Sequence, residues 1–180
     1  GWNGVKVELE EGTVNLASKE AFSIKINDGN ATIYANSDIG LLYGAYHLLR
    51  LQNTGANVKD TTLTEAPVFD LRILNHGDNL DGTVERGYAG ASIFWPESPD
   101  QPELIKEYAR ANASIGINAA VLDNVNASVK LLNRDYLEQV KKFADIMRPY
   151  GMKVYLSINF ASPLKKAHLK YNPDAEKDPN

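Results

Sequence analysis

The strongest constraint on the fold of this chain is an alternation of short apolar runs with longer amphipathic segments. The short runs are 69–75, 119–122 and 152–158, which are typical of buried strands. The segments between them, 103–115 and 135–148, repeat apolar residues at helical spacing. A strand–helix–strand–helix–strand order predicts parallel strands covered by crossover helices, and so an α/β fold. Periodicity alone leaves a doubly wound sheet and a barrel as alternatives.

The apolar residues of the two helices predict which faces are buried. On the first helix the expected face carries Leu104, Tyr108, Ala111 and Ile115. On the second helix, which Pro149 and Gly151 should end, it carries Tyr136, Val140, Phe143 and Met147. No Gly-rich phosphate loop follows the first strand, and its absence disfavours nucleotide binding.

Residues 1–66 have a different pattern of apolar residues, which predicts a small α/β accessory domain. The runs 22–26 and 31–35 alternate apolar and polar residues around Asp28-Gly29-Asn30 and therefore predict a β-hairpin. An earlier alternating run predicts a third strand, and from Asp38 the spacing becomes helical, with Ser37 or Asp38 as the cap and Gly55 as the stop. The third strand is expected from Val5, Val7 and Leu9, and the helix face from Ile39, Leu42, Tyr43, Tyr46 and Leu49.

The domain boundary is expected at Pro67, because residues 56–67 are polar and carry no clear element. This divides the chain into an accessory domain, 1–66, and a second domain, 67–180. Residues 163–180 are rich in Lys and Pro and read as a solvated loop or chain end.

The composition of the chain excludes some classes of function and disfavours others. A net charge of −4 argues against a nucleic-acid partner, which requires clustered Lys and Arg. The absence of cysteine excludes disulfides and thiolate metal sites. No run is long and apolar enough for a membrane span, and residues 1–20 do not resemble a signal peptide. The cellular compartment stays open.

Polar residues are dense where each of the three strands ends. The strand ends run into Asn75-His76-Gly77-Asp78-Asn79, Asp123-Asn124-Val125-Asn126 and Asn159-Phe160-Ala161-Ser162. Ligands of parallel α/β folds gather at this edge, and such side chains can pair with adjacent sugar hydroxyls. Each residue also has a structural interpretation as a turn former or cap, which applies most to Asn75, Asn124 and Asn159. His47 is expected to pack inside its helix.

The sequence gives little evidence for a metal centre, for a nucleophilic serine or for a pair of catalytic carboxyl groups. The three histidines are far apart in sequence, so a metal centre is not indicated. No Gly-x-Ser-x-Gly turn is present to carry a nucleophilic serine. Asp78 and Asp123 lie at suitable strand ends for glycoside hydrolysis, but no neighbouring pattern marks either as an acid with a raised pKa.

The segment from Arg72 to Trp95, RILNHGDNLDGTVERGYAGASIFW, resembles the start of the barrel in glycoside hydrolase family 67, the α-glucuronidases. Three further segments are similar in the same order: Ile39–Arg50, Gly116–Ala127 and Arg148–Pro163. The resemblance implies that the chain holds part of an N-terminal α/β domain and the first three β/α units of a TIM (β/α)8 barrel.

The resemblance also implies an activity. Family members remove 4-O-methylglucuronic acid, linked α-1,2, from xylo-oligosaccharides of glucuronoxylan. They act by inversion, with carboxyl groups ~6.5–9.5 Å apart and no cofactor. The resemblance implies that these catalytic carboxylates lie beyond the third strand, so none is assigned here and the chain is expected to be inactive alone. Six residues are carried over as pocket-lining: His76, Asp78, Asn79, Asn124, Val125 and Asn126.

One position departs from the family pattern. The family usually carries a Trp that lines the uronic-acid pocket where Gly77 stands. An apolar wall beside the sugar is therefore expected to be missing.

Two rival functions remain at this stage. One is another barrel glycoside hydrolase of hexosaminidase type, and the other is a non-catalytic carbohydrate-binding or assembly module. Because a barrel closes with about eight strands, three strands would leave an open edge. We therefore expect the chain to associate with the remainder of an enzyme or with itself.

Overall fold

The computed structural model describes residues 4–12, 14–56, 59–84, 90–125 and 133–159. Two compact units are present, one made of residues 1–72 and 110–117 and the other of 73–109 and 118–180. In chain order, the elements are β1 (Gly4–Val7), β2 (Phe22–Asn27), β3 (Asn30–Ala35), α1 (Asp38–Asn53), β4 (Thr61–Glu65), β5 (Ile73–Asn75), α2 (Gln101–Ser114), β6 (Ala119–Val121), α3 (Arg134–Met147) and β7 (Lys153–Tyr155).

The first unit contains the predicted hairpin. Strands β2 and β3 pair antiparallel, with Asn27 opposite Asn30. Asp28 and Gly29 between them have φ values of 48° and 75°, the left-handed pair that a type I′ hairpin turn requires. The sequence Asp-Gly therefore fixes both the turn and the register of this sheet.

Two further strands complete a sheet of order β1-β3-β2-β4. Strand β1 confirms the predicted third strand and runs parallel to β3. Strand β4 was not predicted, and it pairs antiparallel with β2 at the other edge. Its sequence, TTLTE, contains one large apolar residue and is largely exposed. For that reason this edge strand could not be distinguished from a polar linker by its apolar pattern.

Helix α1 covers one face of this sheet, and its buried face agrees with the predicted one at Tyr43 but is rotated away from Leu49. Ser37 is the N-cap, and its hydroxyl accepts the backbone N–H of Gly40. Gly55, with φ of 65°, follows the helix as predicted. The buried residues are Gly40, Tyr43, Gly44 and Leu48, whereas Leu49 is exposed. A Cβ atom at Gly40 or at Gly44 would lie 2.5 Å from its nearest neighbour, so the helix backbone packs closely at these two positions.

In the second unit the three short strands are parallel, in the order β5-β6-β7. This confirms the parallel arrangement predicted from the alternation of elements. The strands are shorter than expected. Residues 69–72 lie outside β5, and the Arg72 guanidinium donates to the carbonyl oxygen of Phe69 at 2.8 Å. The chain turns there, leaving Phe69 72% exposed.

The two helices after β5 were located correctly, and one of the two buried faces was predicted correctly. On α3 the buried residues include Tyr136, Val140, Phe143 and Met147, as expected. On α2 the buried residues are Gln101, Ile105, Ala109 and Ala113, whereas Leu104 and Ile115 are exposed. Two of these four buried residues are alanines, so the larger apolar residues of α2 indicated the adjacent stripe.

The division into domains at Pro67 stays a prediction, and residues 163–180 lie outside the described part of the chain. Within the described residues, no helix has the length and hydropathy required to cross a bilayer.

Candidate functional site

The candidate site lies at the carboxyl ends of β5 and β6 in the second unit. After β5 the backbone N–H of His76 donates to the carbonyl oxygen of Val121 at 3.4 Å, which extends the pairing of the two strands by one bond. His76 Nε2 lies 2.6 Å from the hydroxyl of Tyr108. The imidazole also packs edge-on against Phe94, with ring centroids 5.1 Å apart. The ring of His76 is therefore fixed from two sides.

Gly77 follows with φ of 66°. This left-handed conformation costs glycine little and strains any residue with a Cβ. A tryptophan at position 77 would be strained in this backbone. The turn at Gly77 directs the chain from β5 towards Asp78.

Asp78 is 2% exposed and bonded on both its backbone and its side chain. Its carboxylate Oδ2 accepts the hydroxyl of Ser92 at 2.6 Å. Its carbonyl oxygen accepts the backbone N–H of Asn124 at 2.8 Å. Asp78 therefore joins the end of β5 to the end of β6.

Asn79 and Asn124 meet across the same two strand ends. Asn124 Nδ2 donates to Asn79 Oδ1 at 3.1 Å, and the backbone N–H of Asn79 donates to the carbonyl oxygen of Thr83 at 2.8 Å. Asn124 is 5% exposed. We name Asp78, Asn79, Asp123 and Asn124 the strand-end cluster.

Asp123 is the member of this cluster that was expected only as a strand-end carboxyl group and was not among the six predicted pocket-lining residues. It is fully buried, and its Oδ1 accepts the backbone N–H of Ser157 at 2.9 Å, beyond the end of β7. Among the described residues, its Oδ2 has no hydrogen-bond partner. Burial raises the pKa of this carboxyl group to about 6, against the lowering effect of the Ser157 bond. The sequence signal was an Asp directly after an apolar strand.

Of the other residues that the sequence pointed to, some are described by the structure and others lie outside its described part. Val125 follows the cluster and is 47% exposed. Asn126 lies outside the described residues, as do Phe160, Ala161, Ser162 and His168. His47 packs against Phe22 in the first unit, with ring centroids 5.5 Å apart, in agreement with the packing role expected for it.

The geometry of the cluster suits positioning and hydrogen bonding. Two buried carboxyl groups and two amides connect the strand ends to one another. In the described part of the chain, no three His, Asp or Glu side chains converge as metal ligands would. Carboxyl and amide groups of this kind can form hydrogen bonds to hydroxyl groups.

We expect the pKa of His76 to lie below 6.5, because burial disfavours the imidazolium more than Asp78 favours it. As pH falls, His76 is therefore protonated in the unfolded chain before it is protonated in the folded chain. His76 stabilises the fold above pH ~6.5, and this contribution is lost as pH falls from there towards the lower pKa of the folded state. Titration of the imidazole carbon-bound protons by NMR measures the value. A His76→Gln variant identifies the resonance, and a pKa of His76 above 6.5 would contradict the expectation.

A cleft of about 350 Å³ in the first unit is lined by other residues. Its lining includes Tyr43, His47 and Arg72 but no predicted site residue. The Arg72 guanidinium is already bound, lying 2.7 Å from Glu20 and 2.6 Å from the carbonyl oxygen of Gly116. The strand-end cluster is thus the better candidate site.

Comparison with known proteins gives a consistent result. Residues 51–178 match the model of the glycosyl hydrolase family 67 middle domain. The chain is 41% identical over 169 residues to "Probable alpha-glucuronidase A" of Aspergillus clavatus, covering 92% of this chain and 19% of that protein. It is 39% identical over 159 residues to "Alpha-glucuronidase A" of Aspergillus tubingensis, covering 86% and 18%. The chain thus spans about a fifth of the length of these curated relatives.

Solved structures are similar at the level of the fold. A GH138 enzyme targeting pectin rhamnogalacturonan II aligns with a TM-score of 0.58 at 16% identity, over 91% of this chain and 21% of that one. The GH20 β-N-acetylhexosaminidase from Streptomyces coelicolor aligns with a TM-score of 0.56 at 12% identity, over 87% and 34%. At these identities the similarity concerns the fold alone.

Proposed function

The chain belongs to glycosyl hydrolase family 67, and from this premise we propose that it forms part of an α-glucuronidase acting on xylan fragments. The reaction is hydrolysis of α-1,2-linked (4-O-methyl)glucuronic acid from xylo-oligosaccharides, with inversion. The observation that carries the proposal is 41% identity over 92% of the chain to a relative named as a probable α-glucuronidase. The partner is a glucuronoxylan-derived oligosaccharide.

The three parallel strands are proposed to be the first three of a (β/α)8 barrel. In the described residues, β5 and β7 each pair only with β6, so both keep an unpaired edge. Ile73 on β5 and Tyr155 on β7 are also exposed, at 37% and 40%. Additional strands would pair these edges and cover these side chains, which favours association of the chain with the rest of a barrel.

The residues proposed to line the sugar pocket divide into two groups. Asp78, Asn79 and Asn124 bond to one another and to their loops, so they hold the pocket in shape. His76 and Val125 lie at the strand ends beside them and are proposed to face the sugar. Asn126 is proposed as a pocket residue from the family resemblance alone. No residue of this chain is proposed as the acid or as the base of the reaction.

An enzyme chimera tests the proposal. The chain would replace the matching 159-residue segment of the Aspergillus tubingensis enzyme. We expect the chimera to release 4-O-methylglucuronic acid from aldouronic acids, because the catalytic carboxylates would come from the remaining barrel. We expect the isolated chain to release none. Product release by chromatography measures both.

Matched variants of the chimera connect activity with the cluster. Asn124→Ala removes the bond to Asn79 and is expected to raise KM about two- to tenfold. Asn53→Ala, at the exposed end of α1, should leave KM unchanged. A folded but inactive chimera would refute the proposed activity. If, in addition, calorimetry showed that the isolated chain binds the sugar, a carbohydrate-binding module would be favoured instead.

A further inference from the structure

Consecutive residues at the end of β6 bond alternately to the two neighbouring strands. Leu122 donates its backbone N–H to the carbonyl oxygen of Tyr155 on β7 at 3.2 Å. Asn124 donates its backbone N–H to Asp78 on the side of β5 at 2.8 Å. Between them, Asp123 reaches Ser157 with its side chain rather than its backbone. Its carboxyl group thus adds one bond to the pairing of β6 with β7 after the backbone pairing has ended.

This bond anchors the segment that carries Asn124. On the β5 side, the backbone and side chain of Asn124 hold Asp78 and Asn79. On the β7 side, the described residues contribute the Asp123–Ser157 bond at this level of the sheet. Loss of the carboxyl group would remove this bond to the β7 side and loosen the segment that places Asn124 against Asn79.

We propose that Asp123 is a positioning residue of the sugar site, whose buried carboxyl group fastens the end of β6 to the end of β7 and so sets where Asn124 and Asn79 lie. This rests on the proposed function, because it takes the strand-end cluster to be the sugar site. Asp123 is fully buried and acts through Asn124 without touching the sugar.

The surroundings of Asp123 favour its neutral form. Its Oδ2 has no hydrogen-bond partner among the described residues, and burial opposes ionisation more strongly than the backbone N–H groups of Ser157 and of Asp123 itself favour it. On the β7 side it meets the uncharged amide of Ser157. On α3 the titratable group facing it is Tyr136, whose pKa is raised by burial and by the Asp123 charge. Tyr136 stacks on Trp95, which donates Nε1–H to the carbonyl oxygen of Leu122.

Two substitutions separate positioning from simple packing. Asp123→Asn keeps an oxygen that accepts the Ser157 N–H, and it removes the ionisable group. Asp123→Ala removes both. We expect amide exchange at Ser157 and Asn124 to accelerate about tenfold or more in Asp123→Ala and to stay near the unsubstituted rate in Asp123→Asn. Asp145→Asn, on the exposed side of α3, is the matched control and should change neither amide.

The pH dependence gives a second measurement that does not require Asp123→Ala to fold. In the unsubstituted chain the Ser157 amide shift should titrate with a midpoint near 6, and in Asp123→Asn this titration should disappear. A Ser157 amide that does not titrate, or that titrates equally in Asp123→Asn, would overturn the proposal. Unchanged exchange in a folded Asp123→Ala would overturn it as well.

Binding of an aldouronic acid then tests the link to the sugar. The KM of the chimera for an aldouronic acid, divided by the KM of its Asp123→Asn variant at the same pH, should fall as pH increases through about 6, because the ionised carboxyl group accepts the Ser157 N–H more strongly than the neutral acid does. If the Ser157 amide titrates as expected but the chimera is folded and inactive at every pH, the proposed function fails while the connection between β6 and β7 stands. If the chimera is active and this KM ratio does not follow the Ser157 titration, Asp123 does not position the site.

Discussion

Replacing Phe94 with alanine is expected to lower the free energy of unfolding by about 3–5 kcal/mol. The Phe94 side chain is fully buried, and its ring contacts those of His76, Tyr108 and Phe143 at centroid distances of 5.1, 5.5 and 6.0 Å. The substitution removes a large apolar surface and leaves a cavity against three rings. Because a domain is stable by only about 5–15 kcal/mol, urea unfolding should show a much lower midpoint.

The effect should extend to the candidate site, because Phe94 is one of the two residues that hold the imidazole of His76. The NMR signals of His76 should broaden or shift in Phe94→Ala under conditions in which the chain is still folded. Phe69→Ala is the matched control, since the same atoms are removed from a side chain that is 72% exposed. Its effect should stay within about 0.5 kcal/mol. Equal losses at the two positions would show that Phe94 is not a core residue.

The order of elements could be predicted from the sequence because the signals are local. Alternating residues around Asp28-Gly29 specify a hairpin, and the helical spacing of Tyr136, Val140 and Phe143 marks the buried face of α3. Each pattern lies within one element, where the backbone repeat alone decides which side chains share a face.

The errors in the predicted faces have a common cause. In α1 and α2 small residues make up much of the buried face, namely Gly40 and Gly44 in α1 and Ala109 and Ala113 in α2. Small residues add little to an apolar pattern, so the pattern does not show that they are buried. The large apolar residues then occupy the flanks and are partly or fully exposed, as Leu49 and Leu104 are.

The candidate site was predictable in its location but not in its internal roles. The strand ends could be identified from the sequence, and the structure brings Asp78, Asn79 and Asn124 together there. Asp123 accepts a hydrogen bond from Ser157, which lies 34 residues later in the chain. No local pattern encodes such a contact, so an Asp with a raised pKa looks like an ordinary turn residue in the sequence.

Replacing Gly40 with alanine is expected to destabilise the chain by about 2–3 kcal/mol, although alanine favours helices. A Cβ atom at position 40 would lie 2.5 Å from the carbonyl oxygen of Ala21 and 2.8 Å from the Cβ of Ala35. Neither atom belongs to a flexible side chain, so α1 must move away from the sheet. That movement would loosen the contacts of Tyr43 and Leu48 as well. Thermal and urea unfolding measure the loss.

Gly55→Ala is the matched control, because it separates the effect of steric overlap from the effect of placing a Cβ on a left-handed backbone. Gly55 has φ of 65°, but a Cβ there would meet no atom within 4 Å. Its substitution should therefore cost only the left-handed strain, about 1–2 kcal/mol. Gly44→Ala should resemble Gly40→Ala, because its Cβ would lie 2.5 Å from Cγ2 of Ile33, although that methyl group belongs to a side chain and can give way slightly. If Gly40→Ala were as stable as the unsubstituted chain, α1 would not pack this closely on the sheet, and the corrected orientation of its buried face would be wrong.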